Sequence, residues 1–262
     1  MERQVLQGRH ALVTGGAQGI GYAIALALLE QGATVTLAGR TPATLETAVL
    51  ALRAQAPAAQ LGWVLLDVSD ATSVATGVAQ AVALAGPVAI LINNAGQAES
   101  AAFEKTTAAL WQNMLDVNLT GSFHCTQAVL PGMVAAAWGR IVNVVSTAGL
   151  RAYPYVAAYC AAKHGVIGLT RALALEVATR GVTVNAVCPG YTETPLLQKT
   201  VANIMHKTGR QQAETQALLA AANPQQRLVQ AEEVAHAVAW LCQPAAAAMN
   251  GQAIAVAGGE VM

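Results

Sequence analysis

The sequence has little charge and few aromatic side chains. Only 11% of its 262 residues are charged, 14 basic side chains balance 14 acidic ones, and aromatic residues make up 4%. Recognition of nucleic acid or of an anionic membrane by charge needs a basic excess or a basic stripe, and neither is visible. Disorder is excluded as well, because 55% of the residues are hydrophobic. We therefore expect a folded protein that binds a small molecule and no nucleic acid.

Long apolar runs are also missing. A membrane-spanning helix needs about 20 consecutive apolar residues. No stretch without a polar side chain exceeds the 12 residues from Ala81 to Ile92, and Gly86-Pro87 interrupts that one. The N-terminus, MERQVLQGRH, carries Glu2 and Arg3 before any apolar run, which does not match a secretory signal. We expect no membrane association and a cytoplasmic location.

Cysteine is scarce, and its spacing is not that of a metal or disulfide framework. The four cysteines include no CxxC pair, so they are interpreted as small buried hydrophobes in a reducing compartment. Cys160 and His164 stand four residues apart, but two ligands do not make a metal site. No metal is expected.

Short apolar runs alternate with helical stretches along the whole chain. The runs are His10–Thr14, Ala33–Ala38, Leu61–Leu66, Val88–Ile92, Arg140–Ser146, Val182–Val187 and Ala253–Val256. This alternation predicts an α/β fold of the Rossmann type: a doubly wound, seven-stranded parallel sheet with helices on both faces. We expect residues 1–262 to form a single dinucleotide-binding and catalytic domain. Within it, the weakly patterned, Gln- and Ala-rich segment 198–226 is interpreted as a mobile helical lid over the substrate.

A glycine cluster, TGGAQGIG, joins the first strand to a helix. Gly15, Gly19 and Gly21 let the backbone approach a pyrophosphate, and the helix N-terminus directs free N–H groups at the anion. Gln18 and Ile20 belong to the same loop. A glycine cluster alone is often only a tight turn, but the strand–turn–helix setting favours a phosphate site.

Two later segments extend the predicted dinucleotide site. Asp67, followed by Val68, comes just after the third strand and is placed to accept hydrogen bonds from an adenine amino group. Asn94, Ala95 and Gly96 close the fourth strand with small residues where a ribose must pass. A helix cap and a turn are the plainer interpretations of these two segments, and both are compatible with binding.

Tyr159 and Lys163 in YCAAK share one face of a helix at i, i+4 spacing. A free tyrosine has a pKa of ~10, so about 0.1% is phenolate at pH 7, and bringing the pKa to neutrality requires roughly 4 kcal/mol. A neighbouring ammonium in a desolvated crevice, with a cationic nicotinamide close by, is a source of such stabilisation. Tyr159 then serves as general acid–base for an alcohol–ketone pair.

Two polar residues complete the predicted catalytic set. Ser146 ends the fifth strand, where its hydroxyl can hold a substrate oxygen, and Asn118 in DVNLTG is a polar residue on a largely apolar helix, suited to a proton relay from Lys163. Each residue also has an ordinary structural explanation, such as a strand cap for Ser146. The occurrence of Asn118, Ser146, Tyr159 and Lys163 in this order is stronger evidence for catalysis than any one of them. A GxSxG hydrolase elbow is absent, since Ser146 lies in VVSTAG.

With TGGAQGIG, NNAG, DVNLTG, YCAAK and VNAVCPGYTET in this order, the chain resembles the short-chain dehydrogenase/reductase family over nearly its whole length. The resemblance implies that Asn118, Ser146, Tyr159 and Lys163 are catalytic, and that Tyr159 and Lys163 also contact the cofactor. It further implies a nicotinamide-side loop, with contacts from Pro189, Gly190, Thr192 and Thr194. The sequence is most similar to the 3-hydroxybutyrate dehydrogenase and 3-oxoacyl reductase branch.

The end of the second strand bears on cofactor choice. Where the family's NAD-selecting members carry an acidic residue, this chain has Gly39 followed by Arg40. A guanidinium there can pair with a 2′-phosphate, which favours NADP(H). Gln18 stands where NADP-using relatives often have a second basic residue, and Arg40 can equally be a solvated side chain, so NAD(H) stays open.

Substrate residues are expected in the loop after Ser146 and beside the nicotinamide loop. Ala148 and Val156 stand where the hydroxybutyrate branch typically has histidine and lysine, which leaves a free carboxylate without a counter-charge. Tyr153 and Tyr191 are candidate wall residues. We expect a 3-hydroxyacyl/3-oxoacyl thioester. A carrier-free ketone, sugar or steroid-like alcohol is the alternative, and a non-catalytic nucleotide-binding sensor or scaffold is the alternative from another class.

Assembly is the last expectation. The stretch Ala157–Ala178 predicts a helix that is apolar around most of its circumference, and such a helix must be covered on both sides. One side packs on the sheet, so the other is expected to meet a second subunit. The family resemblance implies a homotetramer.

Overall fold

Seven parallel strands form the centre of the protein in this computed structural model, which describes residues 4–262. Glu2 and Arg3, the first residues of the predicted domain, lie outside the described residues. The strands are β1 His10–Thr14, β2 Thr34–Gly39, β3 Leu61–Leu65, β4 Val88–Asn93, β5 Gly139–Val144, β6 Val182–Pro189 and β7 Ala253–Val256. Each strand coincides with a predicted apolar run to within two residues at either end. The continuous burial of β1, β5 and β6 explains why these runs do not alternate with polar residues.

The sheet order is β3-β2-β1-β4-β5-β6-β7, with every neighbouring pair parallel. The strand order reverses direction between β1 and β4, and a ligand-binding crevice forms at such a switch point in doubly wound sheets. The predicted doubly wound fold is confirmed.

Helices cover both faces of the sheet. They are α1 Gly19–Glu30, α2 Pro42–Gln55, α3 Ala71–Ala85, α4 Ala108–Leu115, α5 Gly121–Ala135, α6 Ala157–Glu176, α7 Pro195–Thr208, α8 Gln212–Ala220 and α9 Ala231–Cys242. A first hydrophobic core joins α1, α2 and α9 to one face, and a second joins α3, α5 and α6 to the other. The alanine-rich composition of α1 and α9 lets these two helices approach closely.

The segment from 198 to 226 is helical over most of its length, as predicted, and its helix begins slightly earlier, at Pro195. Thr194 caps this helix by accepting a hydrogen bond from the Leu197 amide at 3.2 Å. Leu197, Val201 and Leu219 form a small core of their own against Tyr191. The segment is therefore a folded unit at the carboxyl edge of the sheet.

All four cysteines are buried and unpaired, as expected. Within residues 4–262, no helix combines the length and the apolar character needed to cross a membrane. The same residues contain no group of three His, Cys, Asp or Glu side chains with metal-site geometry.

Candidate active site

The glycine loop between β1 and α1 is shaped so that only glycine fits at three positions. Gly15 and Gly19 have φ values of +62° and +54°, which favour glycine. A Cβ on Gly21 would stand 2.3 Å from the Gly15 carbonyl oxygen. The loop therefore presents bare backbone, as close approach by a phosphate requires.

The N-terminus of α1 points its free amides at this loop. Gln18, the N-cap residue, makes no side-chain capping bond in the described structure, and the first turn of α1 contains no acidic residue. Ile20 turns inward and packs against the core. The unpartnered amides and the positive end of the helix dipole are suited to a pyrophosphate, so the cradle fits a dinucleotide.

Thr14, which the sequence reasoning missed, ties this loop to the end of β4. Its hydroxyl accepts hydrogen bonds from the amides of Asn94 and Ala95, both at 3.0 Å. The Asn94 side chain donates in return to the carbonyls of Thr14 and Gly15, at 3.0 and 3.1 Å. The predicted segments around Gly15 and Asn94 are therefore held together as one site. A buried threonine at a strand end was the only signal in the sequence.

Asp67 and Arg40 meet at the adenosine end of the crevice. Asp67 Oδ1 accepts hydrogen bonds from the Ser69 amide (3.0 Å) and hydroxyl (2.7 Å), and Oδ2 lies 3.9 Å from Arg40 Nη1. Burial opposes ionisation of Asp67, but the Ser69 hydrogen bonds and the Arg40 charge outweigh it and lower its pKa. Val68 is buried and packs against Gly121. The structure thus places a guanidinium and a carboxylate together where the sequence predicted the adenosine site.

Asn118 lies in a π-helical turn, Asp116–Thr120, between α4 and α5. Its Oδ1 accepts from the Gln97 amide at 3.2 Å, and its Nδ2 donates to the Gln97 and Met114 carbonyls at 2.9 and 3.0 Å. A Cβ on Gly96 would stand 2.9 Å from Asn118 Oδ1 and 3.7 Å from Lys163 Nζ. Because Gly96 has no side chain, the segment Asn94 to Gly96 can lie directly beside Asn118 and Lys163. The π turn was not predicted, because an insertion of this kind has no periodic signal.

Tyr159 and Lys163 project from the first turns of α6 toward Ser146. Lys163 is only 5% exposed, its Nζ donates to the Val144 carbonyl at 3.1 Å, and Nζ lies 5.6 Å from the centre of the Tyr159 ring. Ser146 Oγ accepts from the Ala148 amide at 3.1 Å. The four predicted catalytic residues therefore converge at the carboxyl ends of β4 and β5.

Burial controls the ionisation of this cluster. It raises the pKa of Tyr159 to about 12, against which the hydrogen bond with Ser146 acts, and it lowers the pKa of Lys163 to about 8. The near-neutral phenol predicted from the sequence is therefore not produced by these protein groups, because the loss of hydration outweighs them. Tyr159 is instead held as a proton donor.

The loop after β6 closes the site from the other side. Thr192 Oγ1 donates to the Gly190 carbonyl at 3.0 Å, and Thr194 Oγ1 lies 3.2 Å from the Thr192 carbonyl. A Cβ on Gly19 would stand 3.1 Å from Thr194 Cγ2. The predicted nicotinamide-side loop, which begins at Pro189, therefore reaches back to the glycine loop and forms one continuous crevice with it.

The expected substrate residues differ in their position and exposure around this crevice. Tyr153 and Tyr191 are half-buried at its rim, Val156 is the N-cap residue of α6, and Ala148 is buried with its amide bound to Ser146. Sequence reasoning missed Glu260, whose carboxylate accepts a hydrogen bond from the Tyr153 hydroxyl. The only signal was an isolated acidic residue after the last strand.

Comparisons with known proteins agree on this architecture. A family model described as short chain dehydrogenase matches residues 9–204. D-beta-hydroxybutyrate dehydrogenase of Cupriavidus necator is 39% identical over 98% of this chain and 99% of its own length. Acetoacetyl-CoA reductase of Shinella zoogloeoides is 36% identical over 96% of this chain and 98% of its own. The crystal structure of an actinorhodin polyketide ketoreductase variant with NADPH superposes with a TM-score of 0.93 at 39% identity, covering 99% of both chains.

Proposed function

The chain belongs to the short chain dehydrogenase family, and from that premise we propose that it interconverts 3-hydroxyacyl and 3-oxoacyl thioesters with NADP(H). It is an NAD(P)-dependent oxidoreductase that acts on secondary alcohols and ketones. The observation that carries the proposal is the convergence of Ser146, Tyr159 and Lys163 beside a glycine cradle. Asn118 completes the set at Gly96.

Tyr159 exchanges a proton with the substrate oxygen. When bound, the nicotinamide supplies hydride to the substrate carbon or accepts it in the reverse direction. Burial keeps Tyr159 protonated until it donates, since its pKa is raised to about 12. The Ser146 hydroxyl donates a hydrogen bond to the substrate oxygen and polarises the carbonyl.

Lys163 restores the proton that Tyr159 gives up, and Asn118 lines the route to solvent. With a pKa lowered to about 8, Lys163 can release and regain a proton near neutral pH. Its ammonium is anchored by one hydrogen bond to the Val144 carbonyl, which leaves donors available for a ribose hydroxyl and a water. Asn118, held on the Gln97 backbone, lines the route from Lys163 toward solvent.

The dinucleotide is assigned to a continuous set of residues along the crevice. The glycine loop takes the pyrophosphate, Asp67 and Val68 the adenine, and Asn94 to Gly96 the ribose. The complete set is Gly15, Gln18, Gly19, Ile20, Gly21, Arg40, Asp67, Val68, Asn94, Ala95, Gly96, Tyr159, Lys163, Pro189, Gly190, Thr192 and Thr194. NADP(H) is favoured because Gly39 stands where an acidic residue would select NAD, and the exposed Arg40 side chain follows β2 directly. Arg40 makes one 3.9 Å ion pair with Asp67, which leaves guanidinium donors for a 2′-phosphate.

Residues 198–226 serve as the substrate lid of the single domain. Asn203 Nδ2 donates to Ser100 Oγ at 3.1 Å, and Lys207 Nζ donates to the Ser100 carbonyl at 3.2 Å. Both bonds join α7 to the loop after β4 across the crevice. Since Lys207 is exposed, its bond to Ser100 is weak enough to break as substrate enters.

A homotetramer covers the outer face of α6. Ala161, Gly168, Ala172 and Leu175 are all exposed on this face, and Leu175 is 82% exposed. Phe123 of α5 is also 43% exposed. Small residues with a few large apolar ones are suited to close helix packing between subunits. Light scattering at micromolar concentration is expected to give four times the chain mass, and a monomer or dimer mass would contradict the tetramer.

A substrate panel tests the function directly. Acetoacetyl-CoA, methyl acetoacetate, cyclic ketones and steroid ketones are each assayed with NADPH and with NADH. We expect the highest kcat/KM for acetoacetyl-CoA with NADPH. Preference for a carrier-free cyclic or steroid ketone would overturn the thioester assignment, and equal efficiency with both cofactors would overturn the role of Arg40. Binding of NADPH without turnover of any ketone would identify a sensor.

A further inference from the structure

The carboxylate of Glu260 lies in the wall of the active site. One carboxylate oxygen accepts a hydrogen bond from the Tyr153 hydroxyl, and the other lies 3.0 Å from the point where a Cβ on Gly190 would stand. The Tyr153 hydroxyl is also 2.8 Å from Thr147 Oγ1, and Thr147 directly follows Ser146. Glu260 therefore stands between the nicotinamide-side loop and the serine that holds the substrate oxygen.

The negative charge of Glu260 affects the pKa values of neighbouring tyrosines. Burial raises the pKa of Tyr153 and of Tyr191, and the Glu260 carboxylate raises both further, whereas the Arg151 charge lowers both. Tyr191 in turn contributes to the raised pKa of Tyr159. A charge at Glu260 thus reaches the groups that surround the reacting oxygen.

None of the ion pairs among the described residues includes this carboxylate. The ion pairs found within residues 4–262 are Arg40–Asp67, Arg210–Glu214 and Arg227–Glu233. Arg151 approaches, but its Nη1 donates to the Glu260 backbone carbonyl at 3.5 Å and its guanidinium lies 4.9 Å from the centre of the Tyr153 ring. Arg151 is also exposed, so water screens its charge.

The C-terminal turn holds Glu260 in place. Gly258 and Gly259 have φ values of +60° and +94°, and a Cβ on Gly258 would stand 2.0 Å from Asn223 Oδ1 at the base of the lid. The Glu260 amide closes the turn on the Ala257 carbonyl at 3.1 Å. The carboxylate is therefore a fixed part of the pocket wall.

We propose that Glu260 is a specificity-determining residue that disfavours ketones with a free carboxylate near the reacting carbon and favours neutral ones such as thioesters and esters. This inference rests on the proposed function. Two like charges in a partly desolvated pocket repel strongly, and the neutral Ala148 and Val156 offer no compensating cation. Thioester linkage removes the substrate charge at that point.

Acetoacetate and methyl acetoacetate test this proposal, because they share a reacting ketone and differ in charge. The readout is the ratio of kcat/KM for acetoacetate to that for methyl acetoacetate, with NADPH. We expect Glu260→Gln to raise the ratio at least about tenfold, through a selective gain for acetoacetate when the charge is removed, and Glu260→Lys to raise it further. Glu46→Gln, which removes an exposed carboxylate on α2, is the matched control and should leave the ratio unchanged.

An unchanged ratio in Glu260→Gln, or an equal loss for both substrates, would overturn the inference and leave the proposed function intact. If the wild-type protein reduces no ketone at all, the proposed function fails. The effect of Glu260 on charged ligands is then measured by binding. Calorimetry with NADP present compares 3-hydroxybutyrate with methyl 3-hydroxybutyrate. A selective gain of at least about tenfold in affinity for the anion in Glu260→Gln would support the inference, and equal changes would overturn it.

Discussion

The two ends of the central sheet both bury polar and charged side chains, but they use them differently. At the amino end, the ring nitrogens of His10 lie 2.7 Å from the Gly86 carbonyl and 2.9 Å from Thr36 Oγ1. Arg140 donates to the Gly139 carbonyl at 2.8 Å and lies over the Trp138 ring. At the carboxyl end, the Lys163 ammonium has a single protein hydrogen bond, to the Val144 carbonyl, and stands beside Gly96.

Unused hydrogen-bonding capacity alone does not mark a site. Arg140 Nε is buried and has no partner among the described residues, yet the guanidinium lies 4.6 Å from the centre of the Trp138 ring. Lys163 Nζ instead stands beside Gly96, where a Cβ would be 3.7 Å away. An unused hydrogen-bond donor next to a glycine leaves room for a ligand. An unused donor covered by an aromatic ring does not.

Substitution of Lys163 by Met should have the largest effect, and its sign differs between activity and stability. Burial holds the Lys163 pKa at about 8, below the ordinary 10.5. The folded state therefore binds fewer protons than the unfolded state between these values, and wild-type stability rises with pH across that window. We expect kcat to fall by about 10²–10⁴-fold. At pH 7 we expect the variant to be more stable by about 3 kcal/mol, with most of that difference gone by pH 10.

Chemical denaturation at pH 7, 8, 9 and 10 measures this difference. Lys105→Met removes an exposed lysine from the loop before α4 and serves as the control, with no change in the pH slope. A parallel pH dependence of stability in the Lys163 variant and the wild type would show that burying this ammonium carries no cost.

Truncation of Trp138 to Ala should harm stability and spare activity. The ring lies 3.9 Å from the Arg9 guanidinium and 4.6 Å from that of Arg140, so its loss removes both contacts and leaves a cavity. We expect a loss of about 2 kcal/mol in the free energy of unfolding. Since the catalytic serine follows the far end of β5, about 26 Å away along extended backbone, kcat/KM should not change. Trp240→Ala, at a more exposed position, should cost less. A large fall in kcat/KM would show that the two ends are coupled.

Replacement of His10 by Gln should have the smallest effect, confined to acid pH. Burial lowers the His10 pKa, against which the Gly86 carbonyl acts, so the unfolded state takes up a proton before the folded state does. Wild-type stability should therefore fall as the pH drops below 6.5, and this part of the fall should be absent in the variant. Thermal denaturation at pH 7, 6 and 5 compares the slopes, and identical slopes would mean that His10 does not titrate on unfolding.

The strands and the glycine cradle could be predicted because their signals are local. A buried parallel strand is a short continuous apolar run, and Gly15, Gly19 and Gly21 follow one such run directly. Tyr159 and Lys163 share a helix, so their spacing alone places them on one face. These features required no knowledge of how distant segments meet.

The remaining contacts depend on loops that are far apart in sequence. Tyr153 and Glu260 are separated by 107 residues and meet only because the chain turns at Gly258 and Gly259. Thr14 and Asn94 are 80 residues apart. The raised pKa of Tyr159 also escaped prediction, because the desolvation that causes it depends on how α6 packs in the folded chain.

Turnover by a Tyr159→Phe variant tests most directly whether the carboxyl end of the sheet is the catalytic end. Phe keeps the ring and removes only the hydroxyl, so NADPH, which the other residues of the crevice still contact, should remain bound in a fluorescence titration. We expect kcat on the best ketone of the panel to fall by about 10²–10⁴-fold. A kcat within about twofold of wild type would contradict the assignment of Tyr159 as the proton donor.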